Sequence, residues 1–188
     1  AGRPLVSCAP GAADWASDFR SVEEGKTRIE HGVLNMGPCP LPGGRIVFTS
    51  SRDGFIPPKH PSPCQQLFVM DDDGGNVEKI GHMNLGMALH PVVLKDGRIM
   101  FSTLESQGLR SSLLWGLWHI RPDGTDWGPL YSAFHVGGAP DAFHFQTQLS
   151  DGSIVAEQYY NQNNSGFGSY HKLPPSPPPG ALAFGPGW

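Results

Sequence analysis

The feature that most constrains this chain is a short phrase it uses three times. "LPGGRIVFTSSRDG" carries Gly44 as its turn residue, "LKDGRIMFSTLES" carries Gly97 and "LSDGSIVAEQYYN" carries Gly152, at spacings of 53 and 55 residues. In each copy a turn-forming pair (Gly43-Gly44, Asp96-Gly97, Asp151-Gly152) stands between two runs of alternating apolar residues. Gly-Gly and Asp-Gly supply the positive φ angles that a two-residue hairpin needs, so each copy reads as strand, tight turn, strand. A period of this size belongs to arrays that stack one supersecondary unit on the next.

A second hairpin follows in the first two copies. "QLFVMDDDGGNVEKI" (66–80) matches "GLWHIRPDGTDWGPL" (116–130), with Asp73-Gly74 aligned to Asp123-Gly124. Two hairpins per repeat make a four-stranded antiparallel sheet, the unit of a β-propeller blade. The expected fold is therefore all-β, with about three such blades. The third copy is looser, because "NQNNSGFGSYHKL" replaces the second hairpin. Residues 35–173 read as the blades. Residues 1–34 are a partial blade or a cap, with one short helix expected near "AADWASDFRSVEEG". Residues 174–188, opening on "PPSPPPG", read as a tail or linker in polyproline II conformation.

Gly 25 and Pro 19 are high counts for 188 residues, but aromatics at 10% argue for a packed core and against disorder. The net charge of −4 comes without any Lys/Arg run, which gives no surface for nucleic acid. No apolar stretch has the length of a membrane helix, so no membrane insertion is expected. The chain opens on "AGRPLVSCAPGAADW" with neither Met nor a signal-peptide core, and is expected to be processed or part of something longer. Three blades fall short of the roughly four to eight that close a ring. The expected partners are accordingly other protein subunits or the remainder of a longer chain.

The phrases "GRIVFTSSRDG" and "QLFVMDDDGGNVEKI" resemble the TolB-type (PD40, WD40-like) propeller repeat. "HPVVLKDGRIMF" with "LWHIRPDGTD" is similar to the propellers of proteins like the hydrazine-synthase alpha subunit. The resemblance spans residues 36 to 173. It implies a periplasmic or extracellular propeller that serves as a non-catalytic binding and assembly platform. An alternative it also implies is the propeller part of a multihaem oxidoreductase subunit. The C-x-x-C-H attachment motif of haem-bearing relatives is missing. No cofactor is therefore expected in this chain itself, and haem or metal would come from a partner.

Few residues suggest chemistry. No catalytic residue is assigned, since G-x-S-x-G, H-E-x-x-H and phosphate-loop patterns are all absent. In "DAFHFQTQL", period-two alternation places His144, Gln146 and Gln148 on one face and Phe143, Phe145 and Thr147 on the other. His90, in "MALHPVVL", falls at nearly the same place one blade earlier. His90 and His144 are thus the candidate metal ligands, the plainer reading being that each bonds a neighbouring carbonyl. Cys39 and Cys64 lie in one repeat and form the candidate disulfide; the other reading is buried or idle thiols. Trp115, Trp118, Trp127, Tyr159 and Tyr160 are candidates for blade-to-blade core or for an interface.

Overall fold

The computed structural model describes residues 33–57, 63–81, 86–105, 114–133, 142–158 and 168–176. The short helix expected near residues 12–25, Tyr159, Tyr160 and most of the tail lie outside these. Among the described residues every regular element is a strand, and the strands form three antiparallel sheets. The first holds β1 (Asn35–Leu41), β2 (Arg45–Ser50), β3 (Gln66–Asp71) and β4 (Glu78–Lys79) in chain order. The second holds β5 (Ala88–Val93), β6 (Ile99–Leu104), β7 (Trp115–Ile120) and β8 (Gly128–Tyr131), also in chain order. The third holds β9 (Phe143–Gln148), β10 (Ile154–Gln158) and β11 (Tyr170–Leu173). These are propeller blades, and the third shows three strands among the described residues where four were expected.

The second blade is buried on both faces because the first stacks on one side of it and the third on the other. Period-two alternation in β6 sends Ile99 and Phe101 toward the first blade, where they join Val47, Leu67, Val69 and Ile120. Met100, one residue out of phase, joins Leu117, Tyr131, Phe143 and Ile154 between the second and third blades. A strand buried on both faces reads as a continuous apolar run, and "IMFSTL" is buried throughout. Truncating the fully buried Phe101 to Ala would cost about 3–5 kcal/mol by the usual core scale. The innermost strands β1, β5 and β9 pack against one another in that order.

The turns differ from the expected two-residue form. Leu94 N–H donates to Arg98 O and Gly97 N–H to Leu94 O, so three residues close the loop. Gly97 alone takes the left-handed conformation, at φ +86. This is a type I turn followed by a glycine bulge. The same bonds recur at Leu149/Gly152/Ser153, Asp71/Gly74/Gly75 and Arg121/Gly124/Thr125. The aspartate before each glycine accepts a backbone N–H two residues on: Asp73 from Gly75, Asp96 from Arg98, Asp123 from Thr125, Asp151 from Ser153. Asp is therefore selected here as an acceptor for the turn rather than for a positive φ of its own.

Candidate functional site

Strand directions give the propeller two unlike ends. The short Gly turns all fall at one end. At the other, the chain returns through 51–65, 80–87, 105–114, 132–142 and 159–169. That long-connection end also gathers most of the buried polar side chains: Thr49, Ser50, Gln65, Gln66, Thr103, Glu105, Ser132, His144, Glu157 and Gln158. Gln66 Nε2, Thr103 Oγ1 and Trp115 Nε1 are buried there without a hydrogen-bond partner. Buried polar groups cost stability unless satisfied, so their concentration sets this end apart from the turn end.

The innermost strands carry a device that the sequence pattern conceals. In each pair with its neighbour, two residues of the inner strand oppose one: Gly37-Pro38 against Phe48, His90-Pro91 against Phe101, Phe145-Gln146 against Ala156. The first residue of every bulge is left-handed, with φ +57 at Gly37, +54 at His90 and +51 at Phe145. These positions repeat at the same 53 and 55 spacings as the turn glycines. Glycine takes this conformation freely; His and Phe do so at about 1–2 kcal/mol each. The bulges stack: a Cβ on Gly37 would stand 3.1 Å from Pro91 Cδ, and the His90 ring lies 4.3 Å from Phe145.

This geometry corrects the alternation expected for "DAFHFQTQL". The true blade equivalent of His90 is Phe145, and His144 is equivalent to Leu89. The bulge turns Phe145 out to 54% exposure, while Phe143, expected on its face, packs into the core. Both candidate histidines still come together, with ring centroids 5.8 Å apart and planes at 81°. His144 also lies against Trp115, at 4.6 Å. Gln146 secures the arrangement by donating from Nε2 to His90 O at 2.5 Å and Leu89 O at 3.3 Å. Ser102 Oγ ties the same two blades by donating to Phe143 O at 2.5 Å.

Burial sets the charge state here. It pushes His144 down to about 3, with the neighbouring His90 imidazole adding to the push, and it lowers His90 as well. Both imidazoles are neutral at physiological pH and can accept as well as donate.

Glu105 is a structural carboxylate, as its sequence position suggests, but its partners are not legible in the sequence. Its carboxylate is buried and accepts from Trp118 Nε1 at 2.5 Å, Ser132 Oγ at 3.0 Å and the Ala133 N–H at 2.6 Å. Gly116 leaves the room: a Cβ there would stand 2.5 Å from the Glu105 carboxyl carbon. The signal lies in the repeat itself, because Glu105 occupies the position that holds Arg52 in the first blade. Arg52 there covers the rings of Phe48 and Phe68 at 4.9 and 5.2 Å.

The remaining candidates are dispersed. Cys39 and Cys64 are not joined to each other. Cys39 pairs with Val47 on β2, which pairs with Val69 on β3, and Cys64 lies five residues before Val69. Their separation is therefore well over about 10 Å on strand spacings, beyond the roughly 7 Å between Cα atoms that a disulfide spans. Burial raises the Cys64 thiol to about 12. Trp115 is 3% exposed, part of the core beside His144. Trp118 and Trp127 stack at 5.6 Å, and Trp127 is exposed on the outer strand side. No group of three or more His, Cys, Asp or Glu side chains is arranged to hold a metal among the described residues.

Comparison with known proteins agrees on shape and stops there. No family model matches the chain and no curated protein matches it. Among solved structures it is similar to a protein assigned as TolB from Agrobacterium tumefaciens, with 16% identity and a TM-score of 0.50 over 74% of this chain and 49% of that one. It is also similar to a family 117 glycoside hydrolase from the marine bacterium Zobellia galactanivorans, with 16% identity and a TM-score of 0.43 over 76% of this chain and 56% of that one. The chain thus spans about half the length of the structures it matches. At this identity the likeness shows the β-propeller fold alone. No helix among the described residues is long and apolar enough to cross a membrane.

Proposed function

We propose that the chain is the propeller part of a non-catalytic binding and assembly module in a periplasmic or extracellular complex. The observation that carries this reading is the asymmetry of the two ends. Tight turns close one end, while long connections, buried polar side chains and the exposed apolar groups Leu34, Met36 and Phe145 gather at the other. A rigid β scaffold that presents variable connections on one face is the usual build of a recognition surface. The ring is completed by other subunits or by the rest of a longer polypeptide, and the extracytoplasmic setting follows from the repeat resemblance. Native mass spectrometry of the protein purified from its source tests this: a particle well above 20.3 kDa is expected, and a bare monomer overturns the reading. The competing reading, a multihaem oxidoreductase subunit, predicts a haem spectrum with stoichiometric iron in that same particle.

A further inference from the structure

Two of the three left-handed bulge positions are filled by bulky side chains, although Gly37 shows that glycine suits the same backbone. A strained conformation held by its surroundings points to a use for the side chain it carries. For His90 the surroundings supply the use. Its imidazole stands 5.8 Å, centre to centre, from that of His144. Two imidazoles on one ion, each bound through nitrogen at about 2.0–2.1 Å, have ring centres roughly 5 to 6 Å apart. Beside them Gln146 is 3% exposed, with its amide nitrogen fixed on the His90 carbonyl and its Oε1 buried without a hydrogen-bond partner.

We infer that His90 and His144, with Gln146 Oε1 as a weaker third ligand, form a site for a divalent first-row transition ion. Two imidazoles and one amide oxygen suit Cu(II), Ni(II) or Zn(II) far better than Ca²⁺ or Mg²⁺, which prefer an all-oxygen shell. A site with three protein donors leaves positions open for water or for a group brought by a partner. The ligands come from two blades, β5 and β9, so a bound ion also clamps one blade to the next.

The test compares two glycine variants that relieve the same backbone strain. The chelator-stripped chain, His90→Gly and Phe145→Gly are each titrated with Cu(II) and followed by electron paramagnetic resonance. The unaltered chain and Phe145→Gly are expected to take up one tight equivalent with hyperfine structure from two imidazole nitrogens. His90→Gly is expected to bind more than about tenfold more weakly, with one of those nitrogens lost, since even the loss of an outer-shell partner costs 10–100-fold. Equal affinity and an unchanged spectrum in His90→Gly overturn the site, as does the lack of a tight equivalent in the unaltered chain. Circular dichroism melts of both variants check that the fold is retained.

Discussion

Gly116→Ala is the substitution whose cost can be worked most directly from the structure. A Cβ at position 116 would meet Glu105 Cδ and Oε1 at 2.5 Å and Oε2 at 2.8 Å. The backbone of Gly116 tolerates alanine, and the nearest atoms that a Cβ meets all belong to the Glu105 carboxyl group. Glu105 must leave its place and with it the bonds from Trp118 Nε1, Ser132 Oγ and the Ala133 N–H. Hydrogen bonds to a charged group contribute about 1.5–3 kcal/mol each, and a buried charge stripped of its partners costs about 3–5 kcal/mol. Because the displaced carboxylate regains part of this from water, the expected loss is about 3 kcal/mol. For a chain of this size that lowers Tm by about 6–12 °C. Urea or thermal denaturation of Gly116→Ala, Glu105→Ala and the double variant measures it. Once Glu105 is truncated, Gly116→Ala should become neutral or gain up to about 1 kcal/mol from the stiffer backbone. An equal cost in both backgrounds would refute the steric argument.

Three further outcomes follow from the same geometry. At position 145 glycine should be more stable than alanine by about 1 kcal/mol, the reverse of the usual order, and Gly37→Ala should lose about 1–2 kcal/mol from its φ of +57 in addition to the push on Pro91; denaturation midpoints of the three variants and the unaltered chain decide it. The folded pKa of His144 lies near 3, below its ordinary unfolded value of about 6.5, so between these limits the unfolded state binds the extra proton. Stability should therefore rise with pH through that window and fall as pH drops from about 6.5 toward 3, and the slope between pH 6 and pH 5 should flatten in His144→Gln. The Cys64 thiol, buried and raised to about 12, should resist iodoacetamide at pH 8 in the folded chain and react at once in urea, as peptide mass mapping would show.

The blades and their order were legible because their signals are local. Asp-Gly and Gly-Gly mark each turn within a few residues, and period-two alternation assigns each strand's faces without reference to anything distant. The two-residue turn was misjudged because the glycine pattern is shared by both hairpin types. What separates them is the register of the flanking strands, which leaves three residues in the loop, and at the Asp-Gly turns the aspartate accepts the N–H two residues on. The tie between the proline-rich segment and the blades was hidden for a similar reason: the Tyr131 hydroxyl donates to Pro174 O at 2.5 Å, 43 residues along the chain.

The sequence by itself determined an all-β repeat, the size of its blades, and the proximity of His90 and His144, one blade apart on innermost strands. The 55-residue spacing of the turn glycines already matches His90 with Phe145; only the tertiary structure decided that both sit at left-handed bulges. The bulge turns the Phe145 side chain outward and leaves Gln146 buried behind it. It likewise decided that Glu105 is an anchored carboxylate, that Gly116 must stay bare, and that Cys39 and Cys64 stand apart. Alternation records which way a regular strand faces. A bulge is set by the carbonyls and rings of the adjacent blade, some 50 residues away, and no local pattern carries that information.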